Sequence, residues 1–240
     1  MEGVLLIDKP AGWTSFDVVK YVRRVVSLME GVPSKRIKVG HSGTLDPFAT
    51  GLLIILVGKK FTSSASYLLK QNKKYLVTLE LGKVSSTGDP EGEITRSIDS
   101  AKVLSRMDIE GALKTFKGEI WQKPPIFSAI KVNGVRAYKL ARANQDVELE
   151  NRLVTIKSIE LLDYEFPFVK FVAEVSSGTY IRSLVQDLGT KLKCGAYCTE
   201  LRRIAIGNYS IEHAIKPEQI NEQTINAMLL KDALVVMKAE

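Results

Sequence analysis

The chain has 240 residues, 45% of them hydrophobic and 25% charged, with a net charge of +7. This composition supports a packed core and excludes a fibrous or disordered chain, and the basic balance fits a polyanionic partner. The two cysteines, Cys194 and Cys198, are too few for a disulfide scaffold, two thiols alone make a poor zinc site, and no apolar run is long enough to span a membrane.

Residues 4–7 are apolar and end at Asp8-Lys9-Pro10, which predicts a strand. Thr14-Ser15-Phe16-Asp17 reads as a capping box, and Val18, Val22, Val25 and Met29 then recur at helical spacing until Gly31. Lys35, Arg36 and Lys38 lead into a glycine-rich stretch at residues 40–47. The apolar run 52–57, between Gly51 and Gly58, predicts a buried strand, and residues 62–70 a helix. Tyr75, Val77, Leu79 and Leu81 alternate as in a strand, and residues 87–92 form a turn. A helix is expected at 108–116, strands at 154–162 and 169–175, a helix from Ser177 to about Leu192, and a strand at 201–206. Strands and helices are interspersed without a βαβ rhythm, which predicts an α+β fold with a mixed sheet.

The stretch Gly40-His41-Ser42-Gly43-Thr44-Leu45-Asp46-Pro47 carries the strongest chemical signal. Its glycines permit turns that side chains forbid, and Pro47 pushes Asp46 toward extended backbone. Asp46 can be a placed reagent or the cap of an Asx turn. Arg182 falls in the first turn of a predicted helix, where the macrodipole disfavours a cation, so it calls for an anion: Asp46, or a local acid such as Asp187. Tyr75 offers a flat face and a hydroxyl, for stacking on a base or for the core. His41 can act as a base or wedge against a substrate. The other histidine, His213, is far along the chain, so no metal site is expected, and neither nucleotide-binding glycine fingerprint is present.

Residues 121–150 stand apart. Asn133-Gly134 signals a hairpin, and Lys131, Arg136, Lys139 and Arg142 are interleaved with Phe127 and Tyr138. Such a segment can hold RNA phosphates and stack on bases, or be a solvated hairpin with ordinary charges.

These motifs, in order along nearly the whole chain, resemble the TruB family of tRNA pseudouridine synthases. The resemblance is carried by residues 3–15, by residues 40–53, by Lys74-Tyr75 with Leu81-Gly82 and Thr87-Gly88-Asp89, by Gln122, Pro124-Pro125 and Ser128-Ala129 with the hairpin, by residues 178–184 with Asp187-Leu188-Gly189, and by Leu201-Arg202-Arg203. It departs at Val175, Ser177 and Tyr197, where relatives often carry cysteine, lysine and histidine.

The resemblance implies a pseudouridine synthase fold: a mainly antiparallel mixed sheet flanked by helices, with a protruding thumb at about 121–150. Residues 1–240 form a single catalytic domain, without the PUA-type domain that follows in many relatives. It implies that uridine 55 in the tRNA T-loop is isomerised without cofactor or metal, by a cytoplasmic monomer that binds the T-arm and no membrane. Asp46 matches the catalytic aspartate, Arg182 its partner, and Tyr75 the tyrosine that stacks on the uracil. His41 matches a residue that holds the flipped-out nucleotide, and Tyr180 and Leu201 match residues packing around the base. Lys9 and Pro10 match a supporting motif. Lys131, Arg136, Arg142 and Arg202 are expected to touch RNA. The alternatives are a non-catalytic RNA-binding or tRNA-folding protein on this scaffold, and a glycoside or nucleoside hydrolase, for which Asp89 is a nominal second acid.

Overall fold

The apolar runs near the N-terminus pair with each other, and this sets up the first of two units. In the computed structural model, which describes residues 1–97, 104–143 and 145–228, that unit comprises Met1–Tyr75 and the described residues from Arg202 onward. It begins with β1 (Gly3–Lys9), α1 (Ser15–Glu30), β2 (Val39–His41), β3 (Thr50–Val57), α2 (Lys59–Thr62) and α3 (Ala65–Lys70). Strand β3 pairs antiparallel with β1 on one side and with β2 on the other. Residues 4–7 of β1 and 52–57 of β3 are all apolar, and both faces of this part of the pair are covered. One face packs Leu5, Ile7, Leu53, Ile55 and Val57 against Val18, Val19, Val22 and Val26 of α1. The other packs Val4, Leu6, Leu52, Ile54 and Leu56 against Phe61, Leu68 and Ile206.

Helix α1 begins and ends as its sequence predicts. Thr14 and Asp17 form the capping box, and Gly31 closes the helix in the left-handed conformation at φ 65°. Each fully buried valine on its inner face contributes about 1.5–3 kcal/mol.

The second unit comprises Leu76–Leu201. Its elements follow β4 (Lys73–Leu81): β5 (Lys83–Ser85), β6 (Ile94–Arg96), α4 (Arg106–Lys114), β7 (Gly118–Gln122), β8 (Lys131–Val132), β9 (Val135–Arg136), α5 (Ala137–Arg142), β10 (Arg152–Glu165), β11 (Phe168–Val175), α6 (Ile181–Lys191) and β12 (Ala196–Ile206). The strand order here is β12-β4-β11-β10-β7, with β5-β6 and β8-β9 as separate ribbons. The ladders of β10 with β7 and β11 are antiparallel, and β10 carries register shifts near Ile156 and Leu161.

The chain returns to the first unit within β12, whose Arg202 and Arg203 pair with Thr50 and Gly51 of β3 in the parallel sense. The last elements are β13 (Tyr209–Ser210), which pairs antiparallel with β12, and α7 (Glu222–Met228). The fold is therefore α+β, with a mixed and mainly antiparallel sheet, as expected.

Three elements differ most from expectation. The helix expected over 62–70 is two short helices, separated at Ser63-Ser64. The helix expected from Ser177 starts at Ile181, because Gly178 at φ 85° cannot continue a right-handed helix. The strand expected at 201–206 starts earlier, at Ala196. The residues following Met228 lie outside the described part, and among the described residues no helix is long and apolar enough to cross a membrane.

Candidate active site

Asp46 lies half-buried in the loop between β2 and β3, and both of its neighbours are pinned. On one side, Ser15 donates to the Leu45 carbonyl at 3.1 Å and accepts the Leu45 N–H at 2.8 Å. On the other, the Pro47 carbonyl accepts from the Gly12 N–H at 2.9 Å and from Lys9 Nζ at 3.1 Å. The Ala49 N–H closes a turn onto the Asp46 carbonyl at 3.1 Å, with Pro47 at the corner where its fixed φ is favoured. Asp46 thus opens a backbone turn, and the residues on either side of it are held by Ser15, Gly12 and Lys9, all distant in sequence.

Two buried cations hold this loop through its carbonyls. Lys9 is fully buried, and its ammonium donates to Pro10, Trp13 and Pro47. Arg203 is 1% exposed; its Nε donates to the Leu52 carbonyl at 2.7 Å and its Nη2 to Gly43 at 3.2 Å, with Nη1 3.5 Å from the Thr44 carbonyl. It thus ties the entry of the loop to the strand that follows it. A buried charge is tolerated only when hydrogen-bonded, and converging carbonyl dipoles meet that need. Lys73 adds a third cation, donating to the Leu69 and Gln71 carbonyls. Burial, and then the charge of Arg203, bring its pKa down to about 8.

His41 ends β2, half-buried and opposite Ile55, and Tyr75 is a buried residue of β4. Arg202, next to Arg203 but on the opposite side of β12, forms a two-pronged pair with Asp8 at 3.0 and 2.7 Å. His41, Asp46, Tyr75 and Arg202 thus belong to the first unit.

Tyr180, Arg182, Leu201 and the thumb residues belong to the second. Arg182 is 4% exposed. Its acid within this unit is Asp89, at 3.2 Å, and not Asp187. Its guanidinium also donates to the carbonyls of Thr87 and Phe127, both at 2.8 Å. Asp89 is itself held by the Thr87 hydroxyl and the Glu91 N–H, so it is a structural acid of the turn. Tyr180 caps α6 and is clasped by Gln122, whose amide accepts its N–H at 2.8 Å and donates to its carbonyl at 3.0 Å. Leu201 is buried in β12.

In the thumb, Asn133 at φ 50° and Gly134 at φ 83° make the tight turn that their sequence signals. The hairpin sets exposed Lys131 directly opposite exposed Arg136. Helix α5 follows immediately, and Arg142 lies over the ring of Tyr138 at 5.8 Å, so this aromatic face already carries a cation.

The sequence marks Ser15 as part of a helix cap, Asp89 as a nominal second acid, and Gln122 and Arg203 as motif residues, but shows none of their supporting contacts. Each is a polar residue that the fold buries. The available signals were weak: a hydroxyl following a helix cap, an acid in a turn, a glutamine before Pro124-Pro125, and a second arginine in a strand.

The matches to known proteins are to pseudouridylate synthases. Residues 32–181 match the family described as TruB family pseudouridylate synthase (N terminal domain), and residues 182–237 match the tRNA pseudouridylate synthase B C-terminal domain. The chain belongs to the TruB family. The tRNA pseudouridine synthase B of Clostridium tetani is 41% identical over 240 residues, covering 100% of this chain and 80% of that protein. The protein of the same name from Chlamydia trachomatis is 40% identical over 235 residues, covering 97% and 92%. Among solved structures, a chain of a Cbf5-Nop10-Gar1 complex superposes with TM-score 0.65 at 29% identity, covering 89% of this chain and 52% of that one. A chain of an H/ACA RNP bound to a substrate RNA containing 2'-deoxyuridine gives TM-score 0.66 at 27% identity, covering 93% and 53%. This chain thus spans about half the length of either.

Proposed function

We propose that this protein converts uridine 55 in the T-loop of tRNA to pseudouridine, with Asp46 as the group that attacks the flipped-out nucleotide. The observation that carries the reading is the restraint around Asp46: Ser15, Gly12, Lys9 and Arg203 hold the backbone of its loop by hydrogen bonds. A carboxylate aimed in this way suits a step whose rate depends on orientation. Addition to the base at C6, attack at C1′ and removal of a C2′ proton all require that carboxylate ionised. In each case the N-glycosidic bond breaks, the uracil turns, and C5 joins C1′, so no cofactor is consumed.

In this reading Arg182 is the cation that favours the ionised carboxylate, and Tyr75 stacks on the uracil and takes the C5 proton. His41, Tyr180 and Leu201 hold the nucleotide out of its stack. The thumb residues Lys131, Arg136 and Arg142, with Arg202, meet the RNA backbone. Like charges directly across a hairpin repel, and the Lys131–Arg136 pair is relieved by a phosphate between them. Cys194 and Cys198 are buried and not joined in a disulfide, which suits a reducing cytoplasm.

The test is to incubate the protein with an unmodified tRNA transcript and map pseudouridine by carbodiimide labelling, since the isomer has the mass of uridine. Conversion at position 55 is expected. Asp46→Asn should bind tRNA and convert none of it, because a charge is lost with little change in shape. Turnover by that variant would remove Asp46 from the mechanism. Free uracil instead of pseudouridine would indicate hydrolysis, and tRNA binding without either product a binding protein.

A further inference from the structure

One basic cleft in the first unit has no part in the chemistry assigned to Asp46. It measures about 430 Å³ and is lined by Arg23, Ser34, Lys35, Ile37, Lys38 and Val39. Three of these six residues are cations and none is an acid. Arg23 comes from the middle of α1, Ser34 and Lys35 from a short 3-10 turn at Ser34–Arg36, and Lys38 from the residue just before β2. The cleft is therefore a convergence of three elements.

Its cations differ in how they are held. Arg23 is half-buried, and its Nη2 donates to the Val39 carbonyl at 3.2 Å, which fixes the guanidinium on the wall of the cleft. Its Nε is screened from solvent and has no acceptor among the described residues. Lys35 and Lys38 are exposed, and their ammonium groups are free to close on a ligand from the rim. A planar guanidinium held in place, two exposed ammonium groups and a hydroxyl donor suit a tetrahedral anion with several acceptor oxygens. Three like charges brought together without an acid repel one another, and a bound anion removes that repulsion.

We propose that this cleft binds a backbone phosphate of the RNA substrate, as an anchor separate from the thumb. The proposal rests on the reading of the protein as a tRNA-modifying enzyme. The cleft adjoins β2, the strand that ends at His41 and leads into the Asp46 loop. A phosphate held there registers the RNA on the same unit that carries the aspartate.

The experiment measures the affinity of the full chain for an unmodified tRNA transcript, by fluorescence anisotropy, across a series of salt concentrations. Each phosphate contact contributes about 1 to the slope of log K against log salt. The double variant Lys35→Gln/Lys38→Gln should lower the slope by about 2 and weaken binding at every salt concentration. Arg23→Gln should lower it by about 1. The double variant Lys114→Gln/Lys117→Gln, which removes the same charge from exposed positions of the second unit, should leave the slope near that of the wild type. Inorganic phosphate added at constant ionic strength should compete with tRNA in the wild type and less so in the cleft variants. Wild-type slopes in the cleft variants, or an equal fall in the Lys114/Lys117 control, would overturn the proposal. Pseudouridine formation by the wild type, measured in parallel, separates the two failures. If it proceeds while the slopes coincide, only the cleft is rejected; if the wild type neither binds nor converts tRNA, both readings fall.

Discussion

At the scale of single residues, Arg203 bears directly on the loop of Asp46, whose carbonyls at Gly43 and Thr44 it holds. Asp46 announces itself because glycines and a proline surround it within eight positions. Arg203 does not, since an arginine in a strand reads as a surface charge until the pairing of β12 with β3 buries it. Its three carbonyl partners predict a positioning role. Arg203→Lys keeps the charge but loses the planar fork, so at least one loop carbonyl goes without its donor. We expect kcat to fall by about 100-fold, with a smaller change in KM for tRNA, because a displacement of about 1 Å at the reacting group is enough for such a loss. Steady-state kinetics on both variant and wild type would check this, and an unchanged kcat would contradict it. Lys73 gives a second prediction. Its folded pKa, about 8, lies below the ordinary 10.5, chiefly through burial and then through Arg203. Between those values the unfolded chain binds more protons, so this group's contribution to stability rises with pH across that window. Urea titrations should show the wild type gaining on Lys73→Met from pH 8 to pH 10, by an amount of order 1 kcal/mol per pH unit. A difference independent of pH would refute the assignment.

At the scale of elements, local signals placed most strands and helices, and long-range contacts set where they end. The capping box at Thr14 and the left-handed Gly31 delimit α1 because both act within a few residues. Helix α6 starts later than its sequence suggests because Gly178 breaks the helical path, and Gln122, far away in the chain, then holds Tyr180 at its start. Short strands such as β2, β5 and β6 carry too few residues for a periodic signal and exist through their partners. A close backbone approach between β3 and β12 occurs at one glycine. Gly51 has φ 105°, and a Cβ there would lie 2.3 Å from the Arg203 carbonyl oxygen. Gly51→Ala should therefore separate the two strands and cost about 2 kcal/mol or more, from backbone strain together with the clash. The same change should lower activity, because it displaces Arg203 from the Asp46 loop. A variant with the wild-type melting temperature would show that the strands are not so tightly apposed.

At the scale of the whole molecule, the net charge of +7 and the basic thumb and cleft predict an association dominated by phosphates. Affinity for tRNA should fall by about tenfold or more between 50 and 200 mM salt, and a flat response in anisotropy titrations would exclude such an interface. The sequence by itself determined the class of fold, the family, the constrained loop around Asp46 and the hairpin turn. Each of these is written in neighbouring residues or in motifs whose order along the chain survives without coordinates. Only the tertiary structure decided what surrounds them: that Asp89 is the acid of Arg182 in the second unit, that Arg202 faces Asp8 while Arg203 turns inward, and that Arg23, Lys35 and Lys38 line one cleft. Burial and pairing between distant residues convert an ordinary charged side chain into a support, and one chain position says nothing of which distant carbonyl or carboxylate it will meet. The glycine-rich loop could therefore be found from its own eight residues, whereas the residues that hold Asp46 in place come from both ends of the first unit.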